Sequence, residues 1–132
     1  MDVSDNQYCF VCGQDNPIGF QTNIMVDREA QSAQITLAVP AEFQGWKGMV
    51  HGGIISVLLD EVSAYAGMTV ADTVVTGELK SRFHKPVPVE QEITVSAVVI
   101  SQTRRTVMVE AKLTMQGEVM ASAEAKMVIV RT

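Results

Sequence analysis

Two adjacent carboxylic acids, Asp60 and Glu61, lie inside a strongly apolar segment of the sequence. Residues 53 to about 70 contain no proline, and their apolar side chains would cover nearly the whole circumference of a helix, so we expect a buried helix. An ionised carboxylate in such a helix is costly unless it has a partner. By helical spacing, Asp60 shares its face with a small and polar stripe that could line a cleft (Ser56, Ser63, Gly67), whereas Glu61 shares its face with larger residues (Ile54, Val57, Tyr65, Met68). Asp60 is therefore the predicted site carboxylate.

A second group able to do chemistry is the backbone at His51-Gly52-Gly53, where this helix would begin. The first amides of a helix have no acceptor within it, and two glycines leave them unobstructed. Together with the helix dipole, these N–H groups form a site for a developing negative charge. A carbonyl placed against the N–H of Gly52 or Gly53 would be polarised, an effect of about 3 kcal/mol per donor. The segment thus predicts an oxyanion site.

The spacing of these two groups predicts an oligomer. His51 and Asp60 are nine residues apart, which on a helix is about half a turn and about 13 Å along the axis. They cannot meet within one chain. If both belong to one active site, the amides of one protomer face Asp60 of another across a two-fold interface, so a homodimer is the minimal active unit. A tetramer would satisfy the same geometry.

Short strand-like segments surround the helix in the sequence. They are bounded by proline, glycine or charged turns, and several alternate between apolar and polar residues. Two precede the helix and four follow it, at residues 18–26, 33–39, 74–83, 93–101, 106–115 and 119–130. We predict an α+β fold in which an antiparallel sheet of about six strands wraps around one long central helix. The apolar helix and the apolar face of the sheet bury each other in this arrangement. The alternative is an open sandwich with the helix on one face.

Composition limits the function classes. With 132 residues, 47% of them hydrophobic, the chain suits one domain spanning residues 1–132, in which residues 1–17 form an N-terminal extension. The formal charge is −5 and the basic residues are scattered, which argues against nucleic-acid binding. Neither a secretory leader nor a membrane-spanning segment is predicted, so we expect a cytoplasmic protein that does not bind membranes.

The N-terminal extension contains a Cys-x-x-Cys motif at Cys9 and Cys12, a spacing found in zinc sites and in thiol redox centres. A structural zinc site needs about four ligands, and the other good candidates, His51 and His84, have different explanations. The residues after Cys12 resemble a turn rather than the helix that follows a redox motif. We predict two free cysteines and no metal, although a dimer could pool two such pairs into one site.

The residues 48–61, Gly-Met-Val-His-Gly-Gly-Ile-Ile-Ser-Val-Leu-Leu-Asp-Glu, resemble the signature of the PaaI-like, 4-hydroxybenzoyl-CoA thioesterase superfamily of hotdog proteins. That signature is His-Gly-Gly followed, nine residues after the histidine, by a catalytic Asp or Glu. Residues 46–48, 9–13 and 16–19 resemble a subgroup of the same superfamily. The similarity extends over essentially the whole chain and implies a hotdog fold and the hydrolysis of acyl-CoA-type thioesters.

The resemblance also implies residue roles. Asp60 would be a general base on water, or a nucleophile, and Gly52 would supply the oxyanion amide. His51 would orient the loop or contact the thioester. Thr76, sixteen residues after Asp60, would hold the attacking water, and Gln44 is the nearest amide side chain to a position where some members have asparagine. No metal or redox cofactor is required.

Other residues are candidates for substrate contact. Trp46 lies in the glycine-rich loop 41–52 and would either wall an acyl pocket or anchor the loop. Glu61 is a structural partner for a basic residue or, with a shifted register, the active carboxylate. His84 and Lys85, or Arg104 and Arg105, would meet CoA phosphates.

Two other functions are compatible with the same fold. One is a non-catalytic module that binds acyl-CoA, and the other is a hotdog hydratase or dehydratase.

Overall fold

The computed structural model describes residues 1–131, which form one long helix and a six-stranded antiparallel sheet. The helix α1 spans Gly52–Gly67, and a short 3-10 helix spans Ala41–Phe43. The strands are β1 Met25–Asp27, β2 Ser32–Ala38, β3 Val74–Phe83, β4 Glu92–Gln102, β5 Thr106–Met115 and β6 Glu118–Ile129. Their order in the sheet is β1-β2-β4-β5-β6-β3. The α1 helix packs against β2 to β6, so the predicted α+β hotdog arrangement is confirmed.

Side chains of alternating strand positions form the core between sheet and helix. The inward positions are buried and apolar: Ile93, Val95 and Ala97 on β4, Val107, Val109, Ala111 and Leu113 on β5, and Ala121, Ala123, Ala125 and Met127 on β6. They meet the buried helix residues Leu58, Leu59, Val62 and Ala66. A strand alternates its side chains with period two, so each contributes one apolar face to this core. The predicted burial of the helix is confirmed for this face, whereas the helix start is exposed and the face of Asp60 is half-buried.

The first predicted strand, at residues 18–26, is wrong in its extent because only Met25–Asp27 is a strand. Gln21 has a φ of 50°, which interrupts an extended backbone. The amides of Phe20 and Thr22 donate to the carbonyls of Phe10 and Val11. Residues 18–24 therefore pack with the N-terminal segment instead of extending the sheet.

Both predicted hairpin turns are confirmed. Gln116 and Gly117 have φ values of 51° and 81° and join the paired residues Met115 and Glu118, as in a two-residue turn whose twist matches the flanking strands. The turn between β4 and β5 is closed by Thr103, whose hydroxyl accepts from the amides of Arg105 and Thr106. Within residues 1–131, no helix has the length and apolar character needed to cross a membrane.

Candidate active site

Strand β3 runs antiparallel to helix α1 and brings four strand residues beside four helix residues. In order along the strand, Val74 lies beside Gly67, Thr76 beside Asp60, Ser81 beside Ser56, and Phe83 beside Gly52. The stripe of small residues on the Asp60 face was expected to line a cleft, and two of its members, Ser63 and Gly67, are buried in the protein. Ser63 is fully buried and donates to the Leu59 carbonyl at 2.7 Å. Small side chains instead let β3 approach the helix.

Asp60 is held by a hydrogen bond from β3. The Thr76 hydroxyl donates to Asp60 Oδ1 at 2.6 Å, and the carboxylate is only half-buried. The second oxygen, Oδ2, accepts no hydrogen bond from residues 1–131. A β-bulge between Thr76 and Glu78 interrupts the pairing of β3 with β6 at this point, and bulges redirect neighbouring side chains. Asp60 therefore has one oxygen bonded to Thr76 and one without a hydrogen-bond partner among the described residues.

His51 and Gly52 define the other end of the site. His51 is the N-cap of α1, and its Nδ1 accepts from the Gly53 amide at 2.9 Å. Since Nδ1 is an acceptor, a neutral His51 ring carries its proton on Nε2. The Gly52 amide has no acceptor among the described residues, and Gly52 is exposed. Of the two amides expected to polarise a carbonyl, Gly52 is the one left available.

The loop before the helix places Trp46 in the same cleft as Gly52. The Gln44 Oε1 atom accepts from the Gly48 amide at 2.8 Å, and Gly48 has a φ of 77°, a conformation that favours glycine. An open cleft is lined by residues of this loop and of the helix start: Gly45, Trp46, Val50, His51 and Gly52. Trp46 is 88% exposed, so it does not anchor the loop by burial. The Gln44 carbonyl oxygen is occupied in holding the loop.

His84 and Lys85 follow Phe83 at the Gly52 end of β3. His84 Nε2 lies 2.9 Å from the Ser122 hydroxyl, and Lys85 Nζ lies 2.7 Å from Glu118 Oε2. Both residues are exposed, and an exposed ion pair of this kind contributes at most about 1 kcal/mol to stability. Breaking the Lys85–Glu118 ion pair would therefore cost little free energy.

Glu61 faces away from Thr76 and toward the N-terminal segment. Its carboxylate lies 3.8 Å from Cys9 Sγ, and the expected basic partner is not found among residues 1–131. Burial raises the pKa of Glu61, a hydrogen bond from Cys12 opposes this shift, and the nearby charge of Asp60 adds to it. The structure thus separates the environments of the two adjacent acids, as helical spacing predicted.

Three contacts were not predicted from the sequence. Ser56 donates to Ser81 at 3.1 Å, the Phe83 ring lies beside Gly52, and Tyr65 donates to Cys12 Sγ at 3.3 Å. Each joins residues more than 20 positions apart. The alternation within β3 indicated which residues share a face, but it did not indicate which helix residues they would meet.

The sequence of residues 47–121, more than half of the chain, matches the family model described as the thioesterase superfamily. The chain belongs to the thioesterase superfamily. The resemblance seen in the His-Gly-Gly segment is thereby confirmed. No functionally curated protein matches the sequence of this chain.

Solved structures resemble this superfamily member over most of its length. A thioesterase superfamily protein superposes with a TM-score of 0.85 at 25% identity over 92% of this chain, which spans only 60% of that protein. The PaaI protein from the phenylacetic acid degradation operon of E. coli gives a TM-score of 0.77 at 22% identity, covering 84% of this chain and 80% of that one. A Streptococcus mutans protein bound to acetyl CoA gives 0.76 at 21% identity, covering 83% and 88%. These similarities confirm the fold.

Proposed function

We propose that this chain hydrolyses acyl-CoA-type thioesters, with Asp60 as general base and the Gly52 amide as oxyanion donor. The observation that carries the proposal is the 2.6 Å hydrogen bond from Thr76 to Asp60, because it orients a half-buried carboxylate and leaves its second oxygen available. Membership of the thioesterase superfamily supports the reaction class. Acetyl CoA bound to the Streptococcus mutans neighbour supports the substrate class.

The reaction proceeds in two steps. The thioester carbonyl lies against the Gly52 amide, and Asp60 Oδ2 takes a proton from water while the water oxygen bonds to the carbonyl carbon. The resulting oxyanion is stabilised by the amide and the helix dipole. When the carbonyl reforms, the carbon–sulfur bond breaks and the departing thiolate takes the proton from Asp60. Thr76 keeps the carboxylate oriented throughout, and no cofactor takes part.

The same proposal requires a homodimer. Within one helix, Gly52 and Asp60 are about 12 Å apart along the axis. Among the described strands, β3 pairs only with β6, so its ten residues present a long open edge, which is a template for another strand. If two β3 strands pair antiparallel about a two-fold axis near their middle, the Gly52 end of one protomer meets the Asp60 end of the other. A tetramer built from two such dimers retains both sites.

The rim residues have supporting roles in this arrangement. Trp46 is exposed beside Gly52, where it would cover the acyl or pantetheine part of the substrate. His84 and Lys85 lie at the same end of β3, and Lys85 would exchange Glu118 for a CoA phosphate. Gln44 shapes the loop by holding Gly48, and His51 fixes the helix start through Gly53.

A panel of CoA thioesters with short, medium-chain and aromatic acyl groups tests the function. We expect release of free CoA thiol, with at least one acyl class turned over far faster than in buffer. Tight binding of the panel without thiol release would identify an acyl-CoA-binding module instead. Addition or loss of water on the acyl chain with the thioester intact would identify a hydratase or dehydratase.

Replacing Thr76 with valine tests the orientation of Asp60. A hydrogen bond to a charged group contributes about 1.5–3 kcal/mol, so its loss is expected to lower kcat about tenfold or more, with a smaller change in KM. Thr76→Ser keeps the hydroxyl and should retain most activity. Thr36→Val, at an exposed position of β2, is the matched control. An unchanged kcat in Thr76→Val would contradict the positioning role.

A further inference from the structure

The N-terminal segment and helix α1 meet in a cluster of three potential metal ligands, Cys9, Cys12 and Glu61, which we call the thiol–carboxylate cluster. The two sulfur atoms and a carboxylate oxygen lie within 4.8 Å of one another. We propose that this cluster binds one zinc ion in each chain. The Cys-x-x-Cys spacing alone supplied only two ligands, and the third comes from a residue about 50 positions away.

The separation of Cys9 and Glu61 suits two ligands of one tetrahedral ion. Ligand atoms about 2.0–2.3 Å from zinc lie about 3.5–3.8 Å from one another in tetrahedral geometry. Cys9 Sγ lies 3.8 Å from Glu61 Oε2. All three side chains are half-buried, so small rotations can close the set around an ion that enters from solvent. Water would complete the fourth position.

Hydrogen-bond donors lie beside both sulfurs, as they do beside thiolates that bind a metal. The amides of Val11 and Cys12 point at Cys9 Sγ, at 3.4 and 3.5 Å, and hydrogen bonds to sulfur stabilise its negative form. Tyr65 donates its hydroxyl to Cys12 Sγ at 3.3 Å, as an outer-shell donor to a metal ligand would. The turn is closed by a 2.8 Å hydrogen bond from the Gly13 amide to the Cys9 carbonyl. A Cβ at Gly13 would lie 2.4 Å from Cys9 N, so the turn requires glycine.

The donor atoms of the cluster suit a divalent cation that accepts sulfur ligands. No lysine, arginine or histidine pairs with these groups among residues 1–131. A divalent ion would displace the thiol protons and offset the negative charge of the thiolates that result. Thiolate together with carboxylate is a donor set that zinc accepts, whereas magnesium and calcium prefer oxygen alone.

The proposed ion would be structural. Cys9 and Cys12 flank Val11, whose side chain is buried in the core, and Glu61 belongs to α1. An ion bound here would tie the N-terminal segment to the helix that carries Asp60. It would lie on the Glu61 face, away from Thr76, so it would not contact the thioester.

Metal analysis of the full chain tests the proposal. We expect about one zinc per chain after expression with zinc and gel filtration in reductant. Cys9→Ser, Cys12→Ser and Glu61→Gln should each lower this content, whereas Asp60→Asn, the neighbouring carboxylate on another face, should retain it. Cobalt substitution should give a thiolate-to-cobalt charge-transfer band that is lost in the serine variants. Circular dichroism verifies that each variant is folded.

Other outcomes overturn the proposal. Zinc content equal in wild type and in the Cys9→Ser, Cys12→Ser double variant would mean adventitious binding elsewhere. Zinc that fails to protect the two thiols from alkylation would mean that they do not hold the ion. Cysteines that pair as a disulfide in the zinc-loaded protein would identify a redox pair. None of these readouts depends on hydrolysis. Failure of the zinc proposal would therefore leave the proposed thioesterase function unaffected.

The pH dependence of zinc affinity gives a second test. Zinc binds the thiolate form of cysteine, so binding displaces thiol protons and affinity should rise with pH. Competition with a chromogenic chelator measures this slope. Cys12→Ser should make the slope shallower, whereas Glu61→Gln should weaken binding and keep most of the slope. A slope that is the same in wild type and Cys12→Ser would overturn the assignment of that ligand.

Discussion

Asp60→Asn is expected to lower kcat for thioester hydrolysis by about 10²–10⁴-fold, the contribution typical of a positioned general base. Asparagine has nearly the same shape, and its carbonyl oxygen can still accept the hydrogen bond from Thr76. It cannot accept a proton from water at neutral pH. Steady-state hydrolysis of the best CoA thioester measures the change, and calorimetry with a non-hydrolysable analogue measures binding.

The control for this substitution is Asp72→Asn, which neutralises an exposed carboxylate in the turn after α1. It should leave kcat and affinity unchanged. Affinity for the analogue should also survive in Asp60→Asn, because the carboxylate acts on water rather than on the CoA moiety. Full activity in Asp60→Asn would show that another group is the base, and equal losses of affinity and rate would show that Asp60 only binds substrate.

Gly52→Pro is expected to lower kcat by about 10²–10³-fold, as the loss of one oxyanion donor does. Proline replaces the amide hydrogen with a ring carbon, and Gly52 is the first residue of α1, where proline is well tolerated. His51 has φ −59° and ψ 134°, a conformation compatible with a following proline. A Cβ at position 52 would lie 3.7 Å from Phe83, an ordinary contact.

The matched control is Gly52→Ala, which adds the same Cβ but keeps the amide hydrogen. It should retain activity within a few-fold if the rate depends on the amide hydrogen rather than on the space that the Cβ occupies. Thermal unfolding compares the stability of the three proteins. Activity in Gly52→Pro equal to that in Gly52→Ala would exclude this amide as the oxyanion donor.

Mixing the two inactive variants tests whether the site is shared between protomers. In a dimer of one Asp60→Asn chain and one Gly52→Pro chain, one site carries both substitutions and the other carries neither. Co-refolding equal amounts should therefore restore about a quarter of wild-type activity, because about half of the dimers are mixed and each has one intact site. If Asp60 and Gly52 acted within one chain, mixing would restore nothing. Sedimentation analysis reports the oligomeric state of each protein.

Local patterns in the sequence determined the main elements of this protein. The predicted bounds of the strands at 74–83 and 106–115 agree with the structure, because alternation along a strand reports which side chains face the core. The apolar circumference of α1 likewise predicted its burial. The family signature indicated Thr76 by its spacing from Asp60, and the two side chains meet.

Only the tertiary structure decided the relations between distant residues. It paired Gly53 with His51 and so left the Gly52 amide available, and it turned Glu61 toward Cys9. It also left the β3 edge open among the described strands. Periodicity shows the face of an element on which a side chain lies, because that face is set by the local spacing along the helix or strand. The residues that this face contacts depend on how helix and sheet pack, and that packing depends on the whole core.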